Sequence, residues 1–169
     1  MDNPRIKLQT PLIDRAAIFT GLTITVVTLA TAISIIGGLP DQIPIHFTLS
    51  GKVTRMASKH AVWVLIGLQM IMFVSLELLA RVPHLHNYGD IRLTDQNAQP
   101  FYQLSATFLR MVNALSTLLL GAVAWIIIRR AMAADAPGFW LINALIILLL
   151  AICVVQMIAM SRLKKSQPR

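Results

Sequence analysis

Four stretches of the chain are almost purely apolar, and polar loops separate them: residues 16–38, 61–80, 104–128 and 139–160. A hydrocarbon core of about 30 Å takes about 20 helical residues to cross, so each stretch is long enough to span a bilayer. Each is predicted to be helical, because backbone exposed to lipid must satisfy its own hydrogen bonds. The expected fold class is an all-α membrane protein, a four-helix transmembrane bundle in a single integral domain over residues 1–169. The first stretch follows Arg5, Lys7 and Arg15 and contains Ala30-Thr31-Ala32, as a secretory leader would. It runs on to Gly38, past the length of a leader's apolar core, and is read as an uncleaved span.

The loops have patterns of their own. In the outer loop, residues 39–60, Ile43, Ile45, Phe47 and Leu49 alternate with Pro44, His46 and Thr48. That period belongs to a strand with one apolar face. Ser50-Gly51 is a turn signal, and Lys52-Val53-Thr54 can return as a second short strand. Pro44 restricts the first strand to an edge. A short extracellular β-hairpin-like loop is therefore expected, with Ile45 and Phe47 turned onto the helix ends and His46 and Lys52 in water. The inner loop covers residues 81–103. The last connection, residues 129–138, is short, so the third and fourth helices should be antiparallel neighbours.

Two spans carry internal stripes at helical spacing. Ala16, Thr20, Thr23, Val27, Thr31, Ser34 and Gly38 share one face of the first, and Ala106, Arg110, Asn113, Thr117, Gly121, Ala124 and Ile128 share one face of the third. Small residues let membrane helices approach closely, so both stripes read first as packing seams and second as walls of a polar cleft.

Composition agrees with the pattern. Hydrophobic residues make up 56% of the chain and charged residues 13%, about half the ~25% usual in soluble domains. A soluble enzyme, a disulfide scaffold and a disordered chain are thereby disfavoured. The net charge of +8 would suggest nucleic acid in a soluble protein. Here the basic residues flank the apolar runs, which is a topology signal, and no nucleic-acid partner is expected. Arg5, Lys7, Arg15, Arg81, Arg92, Arg162, Lys164, Lys165 and Arg169 fall on one side, outweighing Lys52, Arg55, Lys59, Arg129 and Arg130 on the other. The positive-inside rule then puts both termini in the cytoplasm. Trp63, Trp125 and Trp140 sit near the outer ends of spans, where an aromatic belt would place them.

Beyond the alternation, the outer loop carries Leu39-Pro40, Ile43-Pro44-Ile45-His46-Phe47, Gly51 and Ser58-Lys59. The inner loop carries Asn87-Tyr88, then Ile91 to Ala98, then Tyr102-Gln103-Leu104. With these residues, over most of residues 20–130, the chain resembles the bacterial membrane-protein family catalogued as domain of unknown function 1648, related to the SdpI-type immunity proteins. The resemblance implies a helical membrane bundle, no known enzyme activity and, from the better-studied relatives, protection against a secreted toxic peptide. Those relatives resemble six-span bundles, whereas four spans are read here. Gly89 and Pro100 also depart from the pattern, and Pro100 is expected to kink the start of the third helix.

Candidate chemistry is sparse. His46 and His60 lie in the outer loop and His84 and His86 in the inner one, so the two pairs should fall on opposite membrane faces. Each pair is short of a zinc ligand set, and neither a metal nor a cofactor is expected. No nucleophile–base arrangement is recognisable. Cys153 has no second cysteine to pair with. Of the seven acids, all but Glu77 fall in loops or tails by these boundaries. The candidate functional residues are Pro40, Ile43, Pro44, His46, Phe47, Gly51 and Lys59 in the outer loop, and Asn87, Tyr88, Thr94, Asn97 and Tyr102 at the inner end. Glu77 and Arg110 are the candidate intramembrane pair: both lie near the cytoplasmic face, where snorkelling is the cheap explanation for each, and a pair facing the bundle is the sharper one. The expected protein is a non-enzymatic, multi-pass protein of a bacterial cytoplasmic membrane. Its expected partners are the lipid bilayer and an extracellular peptide or another membrane protein, in an immunity or sensing role. The alternative is a small transporter or channel subunit.

Overall fold

The computed structural model describes residues 3–48, 51–89, 91–133 and 140–166. Four helices in them are long and apolar enough to cross a membrane: α1 (Leu12–Ile35), α2 (Ala61–Ala80), α3 (Ala98–Ala131) and α4 (Trp140–Lys165). Strands β1 (Gln42–Phe47) and β2 (Val53–Ser58) form a two-stranded antiparallel sheet between α1 and α2. This is the expected class, a four-helix bundle able to span a bilayer with a hairpin at one end.

Helix boundaries differ from the apolar runs in instructive ways. α1 starts at Leu12, four residues before its apolar run, and so takes Asp14 into its first turn. It tightens into a 3₁₀ turn at Ile36–Gly38. α3 starts at Ala98, six residues early, and runs for 34 residues, a length of about 50 Å at the usual helical rise. α2, with 20 residues, matches a hydrocarbon core of about 30 Å. The surplus turns of α3 therefore project beyond α2 at the end that carries the N-terminal segment. Pro100 does not kink the helix: it is the third helical residue, where its missing N–H is one of the donors every helix start leaves unpaired. Phe139, the expected start of the last span, lies outside the described residues.

α3 is the central helix, packing against α1, α2, α4 and β1. Met160 and Leu163, near the end of α4, meet Phe101 and Tyr102 near the start of α3, so these two helices run antiparallel as expected. α4 has Leu145 as its one buried described residue and leaves most of its surface open. The third-span stripe is the packing seam: Ala106, Arg110, Asn113, Thr117, Ala124 and Ile128 are all buried. The first-span stripe is not. The buried face of α1 is Asp14, Gly21, Thr25 and Ala32, while Ala16, Thr20, Thr23 and Val27 are exposed. Close approach selects the face instead. A Cβ on Gly21 would stand 2.8 Å from the Phe73 ring, and one on Gly121 would stand 3.0 Å from Ile24 Cγ2. Thr23, Val27 and Thr31 line an open groove of about 300 Å³ with Gly121, Ala124 and Ile128.

The hairpin sits on an apolar cluster of Ala32, Leu39, Ile43, Val62, Ile66, Ile127 and Ile128. Ile43 is fully buried, and Ile45 and Phe47 pack against the same cluster while His46 is exposed. Strict alternation fails at one point, because Pro44 is buried next to Ile43. The register explains it: Pro44 faces Met56 and His46 faces Arg55, leaving Ile45 as the extra residue of a bulge. β2 is longer than the expected 52–54 segment, and all of it except Ala57 is exposed. The turn closes through Gly51, whose φ of +84° favours a residue without a Cβ. Its N–H donates to Thr48 O at 2.9 Å. Leu49, the last of the expected alternating apolar residues, and Ser50, the other expected turn residue, lie outside the described residues.

Candidate functional site

The densest polar arrangement is buried between α1, α2 and α3. Arg110 lies on the seam of α3, 8% exposed. Its Nη1 donates to Asp14 Oδ2 at 2.7 Å, and its Nε to Glu77 Oε2 at 3.4 Å. The candidate Glu77–Arg110 pair is thus formed, as one arm of a larger unit. Glu77 Oε1 accepts from Arg81 Nε at 3.0 Å, one turn along α2. Asp14 Oδ2 also accepts from Gln103 Nε2 at 3.2 Å, which in turn reaches Thr107 Oγ1 at 3.3 Å. One guanidinium therefore ties three helices together through two carboxylates.

Asp14 is the residue the sequence reading missed. It precedes the apolar run and so reads as part of the N-terminal tail. Its signal was helical register: Asp14, Gly21, Thr25 and Ala32 share one face. The carboxylate is completely buried, where an unpaired charge would be costly. Arg110 compensates it, and so does its place in the first turn of α1, where the helix dipole favours an anion.

Above this triad the seam stays polar. Asn113 Nδ2 donates to Phe73 O at 2.9 Å, Thr117 Oγ1 to Asn113 O at 2.8 Å, and Gln69 Nε2 to Thr117 O at 3.3 Å. Each bond reaches a helical carbonyl, so α2 and α3 are joined side chain to backbone. Three buried acceptors in this column have no partner among the described residues: Asp14 Oδ1, Gln69 Oε1 and Asn113 Oδ1.

The inner-loop candidates form a second unit at the start of α3. Tyr88 lies 5.5 Å from the Tyr102 ring and 6.3 Å from Phe101, centroid to centroid. Its hydroxyl donates to Pro83 O at 2.9 Å. Burial pushes the Tyr88 phenol up to about 12, with Ser105 lowering it and Tyr102 raising it to smaller extents. The Tyr102 hydroxyl donates to Pro4 O at 2.9 Å, and Asn3 Nδ2 to His84 O at 2.9 Å. These bonds fasten the N-terminal segment to the loop. His86 is held by Ser105 Oγ at 2.6 Å and Leu79 O at 2.9 Å. Asn97 Oδ1 accepts from Thr94 N at 2.8 Å and shapes the start of α3. Asn87 Oδ1 accepts from Gly89 N at 2.8 Å, a local turn.

The outer-loop candidates divide by role. Ile43, Pro44 and Phe47 anchor β1, and Gly51 makes the turn. Lys59 Nζ clips the base of the hairpin, 3.1 Å from Asp41 Oδ1 and 3.4 Å from Leu39 O. Pro40 and His46 are exposed. His46 and His60 stay at the hairpin, while His84 and His86 stay in the inner loop. No group of three or more His, Cys, Asp or Glu side chains converges among the described residues.

The fold and its four apolar helices define a multi-pass membrane protein. Residues 23–70 match the family model described as Domain of unknown function (DUF1648). That match takes in the second half of α1, the whole hairpin and the first half of α2. The triad's Asp14, Glu77 and Arg110 and the inner loop lie outside it. No curated protein and no solved structure matches the chain.

Proposed function

We propose that the chain is a non-enzymatic protein of a bacterial cytoplasmic membrane, with both termini in the cytoplasm, and that its hairpin receives an extracellular peptide in an immunity or sensing role. The observation that carries this reading is the asymmetry of the hairpin. β1 is packed into the bundle, while β2 is exposed along its length, with Val53 and Met56 40% and 48% exposed. A strand with an open edge, held on a rigid base, is a ready template for an extended peptide. Lys52 and Arg55 beside it favour an acidic one. The matched family segment is centred on this hairpin, which supports it as the distinguishing part of the chain.

Two experiments test the proposal. A cysteine at Thr54, in a background lacking Cys153, should react with an impermeant reagent from outside intact cells, and one at Ser166 should not. The reverse pattern would put the hairpin in the cytoplasm and end the extracellular reading. Cells expressing the chain should also survive medium conditioned by the source strain better than cells without it. Arg55→Glu should remove that advantage at unchanged protein level.

A second reading, a small transporter or channel subunit, is favoured by a different observation. The three unpartnered acceptors of the buried column are sites where water or a passing proton would be stabilised. Proteoliposomes carrying a trapped pH dye separate the two readings. Proton flux that Asn113→Leu abolishes, with no survival phenotype, would favour transport.

A further inference from the structure

A cavity of about 280 Å³ opens at the end of the bundle that carries the N-terminal segment. It lies among residues 6–10, the last turn of α2 and Arg110. Three of its lining residues are the cations Lys7, Arg81 and Arg110, and no acid among the described residues lines it. Asp14 and Glu77 stand behind Arg110 and hold its Nη1 and Nε, so the carboxylates orient the guanidinium without facing the cavity. Nη2 has no protein partner among the described residues. Arg110 is more than nine-tenths buried and lines the cavity. Lys7 is exposed and makes no ion pair among the described residues. Arg81 lines the cavity as well, uses its Nε for Glu77 and has a side chain that is 63% exposed.

The level in the membrane fits an anion. α2 is about as long as the hydrocarbon is thick, so Arg81, just past its end, stands at the headgroup boundary and Arg110 about one turn deeper. Thr10 adds a hydroxyl to the wall. Tetrahedral oxyanions are bound through guanidinium and ammonium donors converging in this way.

We infer that this cavity binds a phosphate group, held by Arg110 Nη2 from below and by Arg81 and Lys7 at the rim. The site is independent of the peptide reading of the hairpin at the opposite end. A membrane phospholipid headgroup and a free phosphate offer the same chemistry, and the experiment has an arm for each.

Purified full-length protein in neutral detergent should melt at a higher temperature in inorganic phosphate than in chloride of equal ionic strength. It should also be raised by phosphatidic acid in mixed micelles relative to phosphatidylcholine. A rise in both arms, or in the lipid arm alone, supports the site, the latter with a headgroup as source. A rise with inorganic phosphate alone supports a soluble ligand. Lys7→Gln, which breaks no side-chain bond among the described residues, should weaken binding about tenfold, the usual scale for one charge-assisted hydrogen bond. Lys164→Gln, on the basic tail of α4, should leave binding as it was. No rise in either arm overturns the proposal. So does an equal loss in Lys7→Gln and Lys164→Gln, which would mean diffuse attraction to a basic surface.

Discussion

The two ends of the bundle are held by opposite means. At the hairpin end, a cluster of Ala, Leu, Val and Ile side chains anchors β1, with no charged side chain in it. At the other end, Arg110 is buried with Asp14 and Glu77, and the N-terminal segment is fastened on by hydrogen bonds to single carbonyls. An apolar cluster tolerates exchange among residues of similar volume. A buried charge hub does not, because removing one member leaves the others desolvated and unpaired. The hub end should therefore be brittle, and the hairpin end graded in its response.

The largest effect is expected at the hub. Arg110→Gln removes the one cation shared by two buried carboxylates and should cost about 3–5 kcal/mol, the range for breaking a buried ion pair. Asp14→Asn should cost less, because Arg110 keeps Glu77. Glu77→Gln should cost least, because the Arg110–Asp14 contact at 2.7 Å survives. Thermal unfolding in detergent ranks the three. Adding Glu77→Gln to Arg110→Gln should recover part of the loss, and adding Asp14→Asn should recover more. Equal costs for Arg110→Gln and Glu77→Gln would mean that no hub exists.

At the hairpin end the expected costs follow burial. Ile43→Ala empties a fully buried site and should cost about 2–5 kcal/mol. Phe47→Asp should lower the yield of folded protein, and His46→Ala, at an exposed position, should leave it unchanged. A similar drop at all three positions would show that the hairpin depends on its solvent face as well.

The contrast also explains what could be read in advance. The spans were legible because a bilayer imposes a length and a composition that local counting detects. The hairpin was legible because alternation and Gly51 are local signals, and only the bulge at Ile45, set by cross-strand register, displaced Pro44 inward. Glu77 and Arg110 stood out as charges inside apolar runs. Asp14 did not, since its run begins after it and its partner lies 96 positions along the chain. The seam of α1 was misplaced for a related reason. Small residues are abundant on that helix, and close approach to Phe73 at Gly21 selects among faces that composition cannot rank. Gln69 was a visible signal left unused, an amide in the middle of an apolar span.

Smaller effects sharpen the comparison. The Lys59–Asp41 contact at 3.1 Å involves a carboxylate whose side chain is 93% exposed. Exposed pairs are worth about 0–1 kcal/mol, so Lys59→Ala should shift unfolding little. A loss as large as that of Ile43→Ala would mean that the clip, and not the apolar cluster, holds the hairpin in place.

The smallest effect belongs to the aromatic unit at the hub end and appears only at high pH. The Tyr88 phenol sits at about 12 in the folded protein, against 10.0 for an ordinary tyrosine, with burial as the leading cause. The fold therefore favours the neutral phenol. That contribution is complete below about pH 10 and is lost as the pH rises through about 12. Tyr88 and Tyr102 are the chain's two tyrosines, so a Tyr102→Phe variant isolates Tyr88 for phenolate absorbance. The midpoint should lie near 12 in folded protein and fall towards 10 once the protein is denatured. Tyr88→Phe, having no proton to lose, should shed less stability than the parent over the same interval. A midpoint near 10 in folded protein would place the Tyr88 hydroxyl in water. The loop would then rest on its bonds to the N-terminal segment rather than on packed rings.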